Sequence, residues 1–239
     1  MQDNYVGDIG DYGKYGLLRE VSAEAITLSI NWYRVFSKTK TRQNDGKFIK
    51  YLAEPQRYRE YDPVLFDWLQ NVVNVEQDRR IERIEQEQIV SAAYFSEIID
   101  AQRTKWHQRA LEATGGADVV FLDPDNGLET AHMYQTNAAT EKHVRWGELK
   151  DYYTRGQNVI VYQHRPQMTS KEKCIENMIH VQNNYLFSDC IRILEFPKCT
   201  NRFYAMFVHK NYEIAFERIC ASMSRKWGKD NFCREVILR

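Results

Sequence analysis

The chain has 239 residues, 43% of them apolar, and its 33 Lys+Arg balance 33 Asp+Glu to a net charge of zero. That length suits a single α/β unit with insertions and a core large enough to need no covalent staples. Balanced charge excludes a global field for nucleic acid or membrane, so any basic surface is local.

In chain order, residues 1–16 are rich in Gly, Asp and Tyr, and KYGLLREVSAEA reads as a short helix. Ala25 to Phe36 is a strand candidate, followed by a basic loop from Ser37 to Lys47. DPVLFDWLQNVVN opens on Asp-Pro and spaces Val64, Leu65, Trp68, Leu69 and Val72 as a helix does. Residues 76–89 are charged or Gln, with a thin stripe of Ile81, Ile84 and Ile89, and the Arg79–Gln88 run reads as a solvated face. Ser96 to Gly116 reads as one helix stopped by Gly115 and Gly116. An α/β rhythm follows: ADVVFLDPD as a buried strand, KHVRWGELKDYYTRG as a helix, NVIVYQH as a second buried strand, and TSKEKCIENMIHVQNN as a helix capped by Thr169 or Ser170. CIRILEF and RFYAMFVHK are two more strands, and YEIAFERICASMSRKWG is the last helix. The expected fold is an α/β, Rossmann-like three-layer sandwich. Its sheet is mainly parallel, with an antiparallel C-terminal strand pair. One domain over 1–239 is expected, with a mostly helical insertion around 53–100. The five cysteines (Cys174, Cys190, Cys199, Cys220, Cys233) form no CxxC, which argues for reduced thiols over a zinc site or disulfide framework. MQDNYVGDIG shows no signal pattern, and no apolar run nears the roughly 20 residues of a membrane span, so a cytoplasmic protein with no membrane partner is expected.

In open parallel sheets ligands bind beyond the carboxyl ends of the strands. Two such ends are unusually polar, Asp123-Pro124-Asp125-Asn126-Gly127 and Tyr162-Gln163-His164-Arg165. Asp123, Asp125, Asn126 and His164 are therefore the catalytic candidates. A plain Pro/Gly turn, with Asp and Asn bonded to their own backbone, is the competing reading of the first. A third cluster is GDIGDYGKY, where Gly7, Gly10, Gly13 and Gly16 would let backbone approach a ligand and Lys14 stands beside Asp8 and Asp11.

GDIGDYGKY resembles the N-terminal G-N-x-A-D-x-x-K-H segment of the bacterial large-subunit ribosomal RNA adenine-N6 methyltransferases, which are class I S-adenosylmethionine-dependent enzymes. Gly7, Asp11 and Lys14 match; Asp8, Gly10 and Tyr15 stand where that family has Asn, Ala and His. The resemblance implies that Lys14 helps to hold S-adenosylmethionine. It makes Gly7, Asp8, Asp11 and Lys14 cofactor candidates, joined by Asn44, Asp45 and Lys47 of the NDGK piece in place of the missing Gly-rich loop after the first strand. Where that family has Asp-Pro-Pro-Tyr, this chain reads Asp123-Pro124-Asp125-Asn126, with a second carboxylate in place of the stacking ring.

Three functions follow as expectations. In a methyltransferase-like enzyme acting on nucleic acid or a nucleotide, Asp123 and Asn126 orient an amine and Lys38, Lys40, Arg42 and Lys47 touch phosphates. In a Mg²⁺-dependent nuclease or phosphodiesterase, Asp123 and Asp125 hold the metal, alone or with Asp8 or Asp11, and His164 moves protons. Pro124-Asp125 with Glu148-Leu149-Lys150 is a nuclease-like spacing, though the latter reads as helix. The third is a catalytically inactive Rossmann-like module that binds a nucleotide or a protein. All three assume that the early Gly-and-Asp stretch folds over the mouth of the two central strands, making one anionic pocket.

Overall fold

The computed structural model describes residues 3–35, 46–198 and 201–238. Helix α1 (Ile9–Ala23) starts at Ile9 rather than Lys14, because Asp8 caps it by accepting a hydrogen bond from the Gly10 amide at 2.9 Å. Strand β1 (Leu28–Asn31) is shorter than the expected Ala25–Phe36. Ala25 (φ 56°) and Tyr33 (φ 47°) bracket it with left-handed backbone, which a strand cannot continue through.

A run of helices follows: α2 (Pro55–Tyr58), α3 (Pro63–Gln70) and α4 (Ile81–Gln86). The Asp62 carboxylate caps α3, whose first residue is Pro63. Leu65, Leu69, Ile81 and Ile84 are buried, whereas Val64 points to solvent. Strand β2 (Ala93–Phe95) was not anticipated. The helix expected over Ser96–Gly116 is confined to α5 (Arg103–Ala113). Its leading segment is held as loop, with the Ile99 amide bonded to the Arg34 carbonyl (2.8 Å) and the Trp106 indole N–H to the Glu97 carbonyl (3.0 Å).

The second half keeps the expected rhythm: β3 (Val119–Leu122), a short β4 (Gly127–Leu128), α6 (Ala131–Thr136), a short β5 (His143–Val144), α7 (Trp146–Thr154) and β6 (Asn158–His164). Then come α8 (Lys171–Val181) with Ser170 as cap, β7 (Cys190–Phe196), β8 (Arg202–Val208), α9 (Glu213–Trp227) and β9 (Arg234–Glu235).

The main sheet has seven strands in the order β2-β1-β3-β6-β8-β7-β9. β2, β1, β3 and β6 pair in parallel; β8 runs antiparallel to both β6 and β7, and β9 closes the edge antiparallel to β7. β4 and β5 form a separate parallel pair. Successive strand residues serve opposite faces. Val119, Phe121, Ile160, Tyr204 and Met206 join the core under α1, α3, α4 and α9. Val120, Leu122, Val161, Phe203 and Ala205 join a second core under α5, α7 and α8. The protein is therefore a mixed α/β molecule with helices at the sides of a large, mostly parallel sheet. Among the described residues no helix is long and apolar enough to cross a membrane, and Cys174, Cys190, Cys220 and Cys233 carry free thiols.

Candidate functional site

From β1 the chain steps outward to β2, then returns to place β3 on the other side of β1. The carboxyl ends of β1 and β3 thus flank a switch in strand order, where open α/β sheets take their ligands. β1 ends in Asn31, followed by Trp32 and Tyr33, and β3 runs into Asp123. Asn31 Oδ1 accepts from the Tyr33 amide (3.1 Å) and holds the left-handed turn, while Asn31 Nδ2 donates to the Tyr152 hydroxyl (3.1 Å). Tyr33 adopts there the left-handed backbone (φ 47°) that glycine ordinarily supplies.

α1 carries Asp11 and Lys14 to this switch. Lys14 Nζ lies 2.8 Å from Asp123 Oδ2 and 2.9 Å from Asp11 Oδ1, and the Tyr15 hydroxyl donates to Asp11 Oδ2 at 2.9 Å. The ammonium also sits 5.2 Å and 5.6 Å from the Tyr15 and Trp32 ring centroids, within cation–π range. Asp8, Asp11, Lys14 and Asp123 are all buried. The early segment and the tip after β3 therefore meet, across 109 positions of sequence.

Burial alone would lower the Lys14 pKa, but the two carboxylates outweigh it and hold the ammonium well above its ordinary value. Burial pushes Asp123 up against the pull of Lys14. The lysine decides the charge state, because a protonated ammonium at hydrogen-bond distance keeps a carboxylate ionised beside it. Arg202, at the start of β8, brings a second buried cation 3.9 Å from Asp8 Oδ1. The half-buried Arg79, with Nε on the Val6 carbonyl (2.6 Å), brings a further cation. Among the described residues the mouth that was expected to be anionic also holds cations: α1, β8 and the α3–α4 connection each deliver a positive charge beside Asp8, Asp11 and Asp123. The buried hydroxyl of Tyr204 has no hydrogen-bond partner among the described residues and lies in the field of Arg202, Asp123 and Asp11. Glu85 of α4 bridges the ends of β1 and β2, accepting from the Trp32 indole N–H (2.8 Å) and the Ser96 hydroxyl.

The remaining candidates divide. His164 reaches the same mouth, paired across strands with Arg202, and burial with Arg202 and Arg165 lowers its pKa. Asp125 does not join Asp123; its carboxylate lies 3.3 Å from Lys142. The Asn126 amide turns to His143 Nε2 (3.4 Å). Gln163 pins the tip by donating to the Asn126 carbonyl (3.1 Å), accepting from the Leu128 amide (2.9 Å) and filling the space a Cβ on Gly127 (φ 112°) would need. Asp125–Gly127 is therefore held as a turn, while Asp123 faces Lys14 at the strand switch.

Asp8 is occupied as the α1 cap and by the Phe48 amide (3.2 Å). Gly7 (φ 87°) turns the chain against Val73, and Gly10, Gly13 and Gly16 lie against Arg202, Phe196 and Trp227. Those glycines let α1 approach its own sheet and α9. Lys47 is exposed beside the Phe48 ring, while Lys38, Lys40, Arg42, Asn44 and Asp45 lie outside the described residues. Glu148 is held by Arg103 (Nε–Oε1 2.6 Å, Nη2–Oε2 2.9 Å), so it does not complete a nuclease centre with Asp125. Among the described residues no three His, Cys, Asp or Glu side chains are grouped to hold a metal. Asp123 and Asp125, expected to hold a metal together, lie beside different lysines, Lys14 and Lys142. A cleft of about 600 Å³ opens at the amino ends of the strands, lined by residues such as Ser22, Thr27, Ala93 and Gly116, away from all these groups. Arg202, Tyr204 and Glu85 escaped sequence reasoning because each arrives from an element far from α1 in sequence, whose position is set only by the tertiary fold.

No family model matches the chain, and no curated protein matches it. Among solved structures it is similar to the crystal structure of a Legionella pneumophila protein of family DUF519. The TM-score is 0.53 at 10% identity, over 99% of this chain and 97% of that one. At that identity the likeness speaks for the α/β fold alone.

Proposed function

We propose that the chain is a Rossmann-like three-layer protein that works as an S-adenosylmethionine-dependent, methyltransferase-like enzyme on nucleic acid or a nucleotide. One observation carries the reading: the segment resembling the cofactor-holding stretch of the ribosomal RNA adenine-N6 methyltransferases is docked on Asp123 at the strand switch, Lys14 to Asp123 at 2.8 Å. The cores on both faces of the sheet and the antiparallel β8 inserted beside the parallel block support the fold half of the proposal.

The polar groups suit the methyl donor. Lys14 and Arg202 match its carboxylate, Asp11 and Asp123 its ammonium, and the orphan Tyr204 hydroxyl offers a further contact. When bound, the donor supplies an electrophilic methyl group. This chain's residues then orient the reactants and keep water out, which is most of what such a transfer needs. Asp123 is the group placed to accept a hydrogen bond from an acceptor amine; Asn126 and Asp125, turned to His143 and Lys142, are not.

A second reading is favoured by a specific observation. Asp123 and Asp11 are buried and engaged with Lys14, an arrangement equally suited to a catalytically inactive module that binds a nucleotide or a partner. Incubation with methyl-tritiated S-adenosylmethionine and single-stranded or folded RNA and DNA decides between them. Incorporation is expected with the wild type, falling about 10²-fold in Asp123→Asn as orientation is lost. Donor binding without incorporation on any substrate assigns the module instead.

A further inference from the structure

We propose that the face built from α6, α7 and the turn after α8 is a stacking platform for single-stranded nucleic acid. This rests on the reading of the chain as acting on nucleic acid and names the surface that takes the strand. Tyr134 of α6 is 48% exposed, and its ring lies flat on the Trp146 indole at 4.6 Å and 18°. Trp146 is itself only 3% exposed, so one face of the tyrosine is fixed from below while the other meets solvent. Tyr185 stands edge-on to Tyr134 at 5.4 Å, with Lys150 Nζ 5.2 Å from its ring centroid. A rigid, pre-stacked ring of this kind adds a nucleobase to an existing stack at little entropic cost, and every base has a face to offer it.

Charge agrees. In a chain of zero net charge, Arg145 and Lys150 beside these rings have no carboxylate within ion-pair distance among the described residues, and the buried Nε of Arg145 makes no hydrogen bond. Of the neighbouring acids, Glu129 is buried and accepts from the Trp146 amide (2.6 Å), and Asp151 lies 3.0 Å from the His107 ring. Two cations without an ion-pair partner among the described residues, flanking stacked aromatics, complement a phosphate backbone with splayed bases. The platform is also joined to the candidate site. The Trp146 indole N–H donates to the Glu129 carbonyl (2.8 Å), at the end of the stretch that begins with β3 and Asp123.

Fluorescence anisotropy with a labelled short single strand and the duplex of the same sequence tests the assignment, at low and raised salt. The wild type is expected to bind the strand more tightly than the duplex. Tyr134→Ala weakens strand binding about tenfold or more, and Tyr134→Phe preserves it. Lys150→Ala weakens binding and flattens its salt dependence. Ile214→Ala, an exposed apolar residue on α9, changes nothing. Equal affinity for strand and duplex, no strand binding by the wild type, or an unaltered Tyr134→Ala variant overturns the proposal. Strand binding without S-adenosylmethionine binding keeps the platform and removes the methyltransferase reading; donor binding without strand binding keeps that reading and removes the platform.

Discussion

Lys14 is the residue on which the mouth of the sheet is built. Replacing it with Met leaves Asp11 and Asp123 buried without their counter-charge, a loss of about 3–5 kcal/mol for a broken buried pair. Asp123→Asn keeps an oxygen acceptor for Lys14 and leaves the Asp11 pair intact, so it costs about 1–3 kcal/mol. Urea denaturation of the two variants is expected to rank them in that order, and equal midpoints would show that the cluster is not organised by the lysine. His164 gives a pH test. Its pKa lies below the ordinary 6.5 because burial disfavours the imidazolium and Arg202 and Arg165 repel it. The unfolded chain therefore takes up that proton first. The stability His164 contributes is complete above about pH 6.5 and is lost as the pH falls through the window below it. His143 acts in the same direction, through burial and Arg103. His164→Gln is expected to lose less Tm than the wild type between about pH 7.5 and pH 5; parallel pH profiles would contradict this. At this scale Asp11, Lys14 and Asp123 stood out in the sequence, as acids and a lysine among glycines and an acid after an apolar run, and the structure brings them together as one buried ion-pair cluster. Asp125 and Asn126 were not separable from Asp123, since only the Gln163 clamp and Lys142 turn them away.

Among the elements, α1 explains why sequence reasoning assigned the glycines to a ligand. Gly lowers helix propensity, so a run with glycine at every third position reads as loop. The same spacing on a helix makes one smooth stripe, along which α1 presses on Arg202, Phe196 and Trp227. A Cβ on Gly16 would stand 2.2 Å from the Trp227 ring. Gly16→Ala is therefore expected to lower Tm by several degrees despite alanine's better helix propensity, because overpacking costs about 1–3 kcal/mol. Gly116→Ala, with nothing within 4 Å of its Cβ, is the neutral control. Equal Tm values for the two variants would show that the stripe is not a packing surface. The strands β3, β6, β7 and β8 were readable because continuous apolar runs of that length have few other fates. Three-residue β2 and the two-residue pair β4/β5 carry too little periodicity to be read. The long helix expected before Gly115 failed because Ser96–Gln102 is claimed by tertiary bonds to β1's exit and to Trp106.

The whole molecule supplies what no local pattern holds: strand order. The placement of β3 on the far side of β1 from β2 creates the switch, and β8 inserted between β6 and β7 brings Arg202 beside His164 and Asp8. Proximity of Lys14 to Asp123 was only a bet from sequence, because they stand 109 positions apart and the sheet alone closes that distance. The account stands on this mouth binding S-adenosylmethionine, and isothermal titration of the donor into the full chain tests it most directly. Saturable binding is expected for the wild type, weakened about tenfold or more by Asp123→Asn through the loss of a charge-assisted contact. An absence of heat for the wild type at millimolar donor, or equal binding by the two proteins, contradicts the account.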